Sequence, residues 1–175
     1  MSPPTEGITV RRARTPDVKA IRSFVDAYAP NRVLLNKPTV TLYEDVQEFW
    51  VATRPEFDAT ASVVGCGALH VMWEDLAEIR TLAVAPAMRG QGIGHLLLDH
   101  LLTTAHELGV RRLFCLTFEV DFFAAHGFVE IDGTPVAPEL FTELLRSYDE
   151  GIAEFLDLDR VKPNTLGNTR MILHL

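Results

Sequence analysis

Arg89-Gly90-Gln91-Gly92-Ile93-Gly94 decides the reading of this 175-residue chain, because of what lies on either side of it. Before it, Glu78-Ile79-Arg80-Thr81-Leu82-Ala83-Val84 reads as a strand closed by Ala85-Pro86. After it, His95 to Leu108 reads as a helix. Glycines at alternate positions let a backbone curl tightly and bring bare N–H groups close to a ligand. A helix N-terminus adds about half a positive charge. Together these features form an anion site, most naturally for a pyrophosphate.

Two common pyrophosphate loops do not fit. The dinucleotide fingerprint Gly-x-Gly-x-x-Gly, read from Gly90, needs glycine where His95 stands. The ATP-type loop ends in Gly-Lys-Ser/Thr, and no such tripeptide occurs. What remains is Arg-x-x-Gly-x-Gly after a strand ending in Leu82-Ala83-Val84.

The length suits one domain that buries roughly 70% of its unfolded surface. No apolar run reaches the ~18 residues needed to span a bilayer. Met1 to Gly7 lacks the basic and apolar regions of a secretory signal. The expectation is a soluble cytoplasmic protein without a membrane partner, with residues 1–7 a flexible tail and 8–175 one domain. The net charge of −8 argues against a nucleic-acid partner, whose footprint is normally basic. Cys66 and Cys115 each sit in an apolar, strand-like run and read as reduced core residues. The six histidines form no close cluster and no Cys-x-x-Cys occurs, so no metal is implied.

Ile8 to Ala13 alternates as a strand. Thr15-Pro16-Asp17 reads as a helix start with Thr15 as cap, followed by apolar Val18, Ile21, Val25 and Tyr28 at helical spacing and stopped by Pro30. Val40 to Trp50 reads as a second helix capped by Thr39 or Thr41, Phe49 to Thr53 as the start of a strand, and Arg54 to Thr60 as a loop. Ser62 to Trp73 is a long strand in which Gly65 and Gly67 signal a bulge or close backbone approach. Beyond the glycine loop, Ile93, Leu96, Leu97, Leu101, Ala105 and Leu108 share a helix face that Gly109 ends. Arg112–Thr117 is a strand, Phe122–His126 a short helix, and Phe128–Ile131 a strand. Pro138–Tyr148 reads as a helix, acidic Asp149–Asp159 as a second short helix or lid, Lys162–Asn168 as a loop, and Arg170–Leu175 as a closing strand. The order is α+β with a mixed, mostly antiparallel sheet.

The strand, the Arg-x-x-Gly-x-Gly loop, its helix, and Phe122-Phe123-Ala124-Ala125-His126-Gly127-Phe128 further on together resemble the GNAT N-acetyltransferase superfamily. The resemblance implies about six to seven strands flanked by helices, with two central parallel strands that splay to admit acetyl-coenzyme A (acetyl-CoA). It implies that Leu82 gives its main-chain N–H to the thioester oxygen and that Ala83 and Val84 hold the pantetheine arm. Arg89, Gly90, Gln91, Gly92, Ile93, Gly94 and His95 would hold the pyrophosphate. Ala77-Glu78-Ile79 is similar to the segment that carries the catalytic glutamate in one branch of the superfamily, which makes Glu78 the candidate general base. Strand alternation sets Glu78, Arg80, Leu82 and Val84 on one face. The second motif usually reads Phe-Tyr-x-x-x-Gly-Phe, and its tyrosine often protonates the leaving thiolate. Phe123 stands there, beside the cofactor but unable to donate. Water takes that role, or His126, or the thiolate leaves unprotonated, which a thiol pKa near 8.5 partly permits.

Further segments resemble a narrower group, the short stand-alone N-acetylglutamate synthases of actinobacterial type. They are Leu34-Leu35-Asn36-Lys37, Leu42 to Trp50, Gly65-Cys66-Gly67-Ala68-Leu69-His70, Glu78-Ile79-Arg80-Thr81, Gly133-Thr134-Pro135-Val136, Lys162-Pro163-Asn164 and Gly167-Asn168-Thr169-Arg170. The similarity runs from about Ile8 to Leu175. It implies acetyl transfer to the α-amine of L-glutamate, with L-glutamine as a further acceptor, at the start of arginine biosynthesis. It leaves no room for an arginine-sensing kinase-like domain.

An acceptor with two carboxylates needs cationic partners, ideally bidentate arginine. Lys37, Arg80 and Arg170 are the candidates. Related synthases hold substrate by main-chain groups of the strand that here contains Cys66. Two alternatives stay open: a GNAT enzyme for another amine (another amino acid, a polyamine or a protein N-terminus), and a non-catalytic acetyl-CoA sensing module. The expected partner is a small-molecule amino acid, with a homodimer left open.

Overall fold

The computed structural model describes residues 5–31, 37–55 and 61–175. Residues 1–4 of the expected tail, Leu34 to Asn36, and 56–60 of the expected loop lie outside the described residues. In chain order the elements are β1 (Thr9–Arg12), α1 (Val18–Tyr28), α2 (Thr39–Glu44), β2 (Phe49–Pro55), β3 (Ala61–Trp73), β4 (Leu76–Val84) and α3 (Ile93–Leu108). They continue as β5 (Arg112–Thr117), α4 (Val120–Ala124), β6 (Val129–Glu130), α5 (Pro138–Leu144), α6 (Glu150–Phe155), α7 (Lys162–Thr165) and β7 (Thr169–His174). The seven strands form one sheet in the order β1-β2-β3-β4-β5-β7-β6. β4 and β5 are parallel, while β1/β2, β2/β3, β5/β7 and β6/β7 are antiparallel. This is the α+β sheet that the strand and helix pattern announces.

The chain divides into two compact units, Met1–His70 with Ile79–Leu108, and Val71–Glu78 with Gly109–Leu175. In the first, Val18, Ile21, Phe24, Leu42, Phe49, Val51, Cys66, Ala68 and Ala83 make one buried cluster. Ala52, Val64, Ile93 and Leu97 make another, with Trp50, Leu82 and Val84 packed against it. In the second unit Met72, Leu76, Phe114, Leu144, Ile152, Phe155 and Leu156 form the core.

Several local readings are corrected. Thr15 does not cap α1. α1 makes no side-chain cap bond; Asp17 at its start instead fixes the turn before it, accepting the Arg14 N–H at 2.7 Å and the Arg11 guanidinium at 2.7 and 2.9 Å. The expected Val40–Trp50 helix stops at Glu44, because Phe49 and Trp50 belong to β2, where ladder bonds to β3 compete for the same backbone groups. Leu108 is exposed at the end of α3, and Leu98 is buried in its stead. Lys162–Thr165 is a short helix rather than loop. The acidic segment after Asp149 is a helix whose Gly151 to Leu156 are all buried, so it is core and not a lid. Asp149 caps it, accepting the Ile152 N–H at 2.9 Å.

Gly65 and Gly67 carry the meaning assigned to them. Ala52 pairs with Gly65 but Thr53 with Val63, so Val64 is the extra residue of a bulge. A Cβ at Gly65 would lie 3.0 Å from the Ala83 carbonyl oxygen, and one at Gly67 2.9 Å from Leu82 Cδ1.

Candidate active site

The glycine loop lies in the first unit. Gly90 and Gly92 have φ of +75° and +81°, where L side chains are strained. A Cβ at Gly90 would meet nothing within 4 Å, so conformation rather than crowding selects glycine there. The Leu96 N–H donates to the Gly92 carbonyl at 3.1 Å, and the N–H groups before it, at the start of α3, have no intrahelical acceptor. Arg89 and His95 are exposed on this turn. The result is a cradle of main-chain donors with an exposed arginine, which fits an anionic diphosphate.

Just upstream, β4 is not a regular strand. Thr81 has φ +54°, a left-handed conformation inside a strand. Non-glycine residues pay about 1–3 kcal/mol for such a position and hold it only when the surroundings fix it. It also breaks the expected alternation. Leu82 and Val84 pack with Ile93 and Leu97, while Ala83 joins Cys66, Ala68 and Phe24. Arg80 lies near Asp45, the residue that ends α2, whose Leu42 belongs to the Ala83 cluster. Leu82 and Val84 therefore do not share the face of Arg80, since the left-handed residue shifts the parity of every side chain after it.

The backbone after Arg80 is held by groups outside β4. The Cys66 thiol donates to the Thr81 carbonyl at 3.4 Å, and the Ala83 N–H donates to the Cys66 sulfur. The Tyr28 hydroxyl donates to the Val84 carbonyl at 2.6 Å. The Ala85 N–H donates to the Val64 carbonyl at 2.8 Å. Cys66 is fully buried, and burial pushes its thiol up to about 12, so it remains a protonated donor.

Lys37 and Arg80, two of the predicted cations, are brought together around Asp45. Lys37 Nζ is 3.9 Å from its Oδ2, and Arg80 is near enough to pull its titration down. Burial and the charge of Glu48 outweigh them, and the Asp45 carboxyl lies above the ordinary carboxylate range. His70 Nδ1 sits 2.7 Å from Glu48 Oε1 and adds a further pull on Asp45. Arg80 is buried. Two cations, two carboxylates and an imidazole thus make a half-buried cluster that can exchange partners with an incoming carboxylate.

In the second unit, the main-chain N–H groups of Arg111 and Arg112 donate to the Asp75 carbonyl, and the Arg112 guanidinium grips the Asp75 carboxylate at 2.9 Å. This sets the parallel register Leu76–Arg112, Ala77–Leu113 and Glu78–Phe114. Glu78 is 4% exposed. Its charge adds to the burial that pushes the Cys115 thiol up. Phe123 is buried edge-to-face against Phe122 and Phe128, with centroids 5.2 and 5.1 Å away. Arg170 Nη1 donates to the Glu154 carbonyl at 2.7 Å, and Nη2 to the carbonyls of Phe155 at 2.6 Å and Gly133 at 2.9 Å. Its guanidinium lies 5.1 Å from the Phe114 ring centroid. The expected substrate cation spends its Nη donors on main-chain acceptors at α6 and Gly133, while its buried Nε makes no hydrogen bond.

The sequence reading did not single out Tyr28, Asp45, Glu48, His70 or the backbone of Thr81. The segment from Leu42 to Trp50 did signal importance, but no local pattern separates Asp45 and Glu48 from their acidic neighbours. Among the described residues no group of three His, Cys, Asp or Glu side chains could hold a metal ion. No described helix is long and apolar enough to cross a membrane.

Comparison with known proteins places this geometry. The profile of the acetyltransferase (GNAT) family matches residues 20–131. The chain is 63% identical to the amino-acid acetyltransferase of Mycobacterium tuberculosis, over 95% of this chain and 94% of that protein. It matches the crystal structure of Rv2747 from M. tuberculosis in complex with CoA and NLQ, with TM-score 0.90, 62% identity, and 95% and 99% of the two chains covered. It shares its fold with N-acetylglutamate synthase from Neisseria gonorrhoeae complexed with coenzyme A and N-acetyl-glutamate, with TM-score 0.72 and 23% identity. That match covers 96% of this chain and 35% of the longer synthase. The chain belongs to the acetyltransferase (GNAT) family.

Proposed function

We propose that this member of the acetyltransferase (GNAT) family transfers the acetyl group of acetyl-CoA to the α-amine of L-glutamate, forming N-acetylglutamate at the start of arginine biosynthesis. The observation that carries the reading is the run from Thr81 to His95. A strand with a left-handed residue near its end leads into a left-handed glycine loop and the N-terminus of a long helix, in a chain akin over nearly its whole length to an amino-acid acetyltransferase.

In the proposed reaction Glu78 takes the proton that the substrate ammonium must lose. The amine lone pair attacks the thioester carbon, a C–N bond forms, the C–S bond breaks, and coenzyme A leaves as a thiolate. The second proton of the attacking nitrogen passes to water or to that thiolate, leaving the neutral amide. The Leu82 main-chain N–H is assigned to the carbonyl oxygen as charge develops on it, which is worth roughly 3 kcal/mol for a preorganised donor. Ala83 and Val84 line the pantetheine arm. Arg89, Gly90, Gln91, Gly92, Ile93, Gly94 and His95 take the pyrophosphate. Lys37 and Arg80 take the acceptor carboxylates in exchange for Asp45, and Cys66 contributes through its main chain. Phe123 supplies an apolar wall and no proton.

The test is an acceptor panel with acetyl-CoA, read by thiol release and by the mass of the product. Saturable formation of N-acetylglutamate is the expected result, with L-glutamine run alongside. Turnover only with another amine overturns the acceptor. Tight acetyl-CoA binding without turnover on any acceptor overturns the enzyme reading in favour of a sensing module. An ester in place of the Leu82 amide, which removes the N–H alone, should lower kcat about 10²-fold.

A further inference from the structure

We infer that Cys66 is a positioning residue for acetyl transfer, its thiol fixing the left-handed backbone of β4 at Thr81 and through it the direction of the Leu82 N–H. The proposal rests on the assignment of that N–H to the thioester oxygen.

Leu82 lies between two main-chain groups that one sulfur holds. The thiol hydrogen goes to the Thr81 carbonyl, and the Ala83 N–H points at the sulfur. The peptide planes on both sides of Leu82 are thus tied to the same atom. A left-handed threonine inside a strand does not persist unless the surroundings over-determine it. Cys66 supplies that constraint from the neighbouring strand, where the Val51 register and full burial fix its own position.

The residues beside it complete the mould. Gly65 leaves room for the Ala83 carbonyl and Gly67 for the Leu82 side chain, at 3.0 and 2.9 Å from where a Cβ would stand. Gly65-Cys66-Gly67 therefore casts the left-handed segment from Thr81 to Ala83, with the glycines leaving space and the cysteine making the bonds. A thiol suits the middle position. It both donates and accepts, and burial keeps it protonated far above neutrality. A catalytic donor misplaced by about 1 Å costs up to about 10²-fold in rate.

The experiment compares Cys66→Ala and Cys66→Ser in the full chain, each with the native Leu82 amide and with the Leu82 ester. Cys66→Ala should lower kcat on the order of tenfold, with little change in the KM for acetyl-CoA. Cys66→Ser, whose hydroxyl also donates and accepts, should recover most of the loss. In the ester background Cys66→Ala should cost nothing further, because the group it aims is already gone. The Leu82 amide resonance of ¹⁵N-labelled protein should move in Cys66→Ala and return toward its native place in Cys66→Ser. A kcat unchanged by Cys66→Ala, or an equal loss in both backgrounds, overturns the role of Cys66 alone. An ester enzyme with undiminished kcat overturns the assignment of the Leu82 N–H instead, and the amide resonance still reports whether the thiol holds the Thr81 backbone.

Discussion

Arg80 and Arg170 are the same residue type, both stand among the sequence's candidates for an acidic substrate, and they keep different company. Arg80, in the first unit, lies near the Asp45 carboxylate, which Lys37 also approaches. Arg170, in the second, donates to three main-chain carbonyls and covers the Phe114 ring. A side-chain carboxylate can be replaced by a substrate carboxylate of the same chemistry. Main-chain carbonyls cannot leave without unfolding the segment that carries them. What separates the proposed binding arginine from the structural one is thus whether its partner is exchangeable, not its charge or burial.

In the proposed reaction the second unit offers chemistry through Glu78, and the largest expected effect is there. Glu78→Gln removes the proton acceptor while keeping size and hydrogen-bonding shape. It should lower kcat at neutral pH about 10³-fold, with far less change in the KM for acetyl-CoA. Steady-state kinetics with both substrates varied decides it, and unchanged turnover would leave the second unit without a catalytic side chain.

Arg170→Ala tests the structural half of the comparison. It leaves three carbonyls without their charged donor and should destabilise the fold by about 3 kcal/mol, read as a lower urea midpoint. The KM for glutamate of the folded fraction should stay near its native value. A large rise in that KM at unchanged stability would show that Arg170 faces substrate after all. Arg80→Ala should do the reverse. Losing the cation proposed to take a substrate carboxylate should raise the KM for glutamate by about 2 kcal/mol in free-energy terms, while the KM for acetyl-CoA holds. An equal loss for both substrates would argue against direct contact.

These tests follow how the molecule could be read. The strand, glycine loop and helix from Glu78 to Leu108 were legible because each is a local pattern. The loop's positive φ angles are where glycine predicts them. Gly65 and Gly67 were legible as a close approach for the same reason. Thr81 was not, since nothing about threonine announces a left-handed backbone. Its conformation follows from contacts with Cys66, fifteen residues earlier in sequence. Nor was the cluster around Asp45, because Glu48 and His70 meet across a separation of 22 residues. Phe49 and Trp50 continued an apolar pattern that suited a helix, and pairing with β3 overrode it. The charges of the Asp149–Asp159 segment hid the apolar face of α6, which Ile152, Ala153 and Phe155 bury.

The smallest effect asks whether the partner of Arg80 is exchangeable, and pH answers it. Burial, then Glu48, raises the Asp45 carboxyl above its ordinary value, against the pull of Lys37, Arg80 and His70. A group whose folded pKa is the higher one stabilises most below its unfolded pKa, about 3.9 for aspartate. That contribution is lost as pH rises through the folded value. The stability of the native protein relative to Asp45→Asn should therefore decline as pH rises above about 4, by less than about 1 kcal/mol for so partly exposed a group. Thermal unfolding of both proteins across that range measures it. At neutral pH Asp45→Asn should also lower the KM for glutamate, because Lys37 and Arg80 no longer have a resident carboxylate to exchange. The opposite slope, a native advantage that grows with pH, would mean that the two cations hold Asp45 as an ion pair stronger than its desolvation. Arg80 would then be locked to its partner just like Arg170, and the difference between the two arginines would disappear.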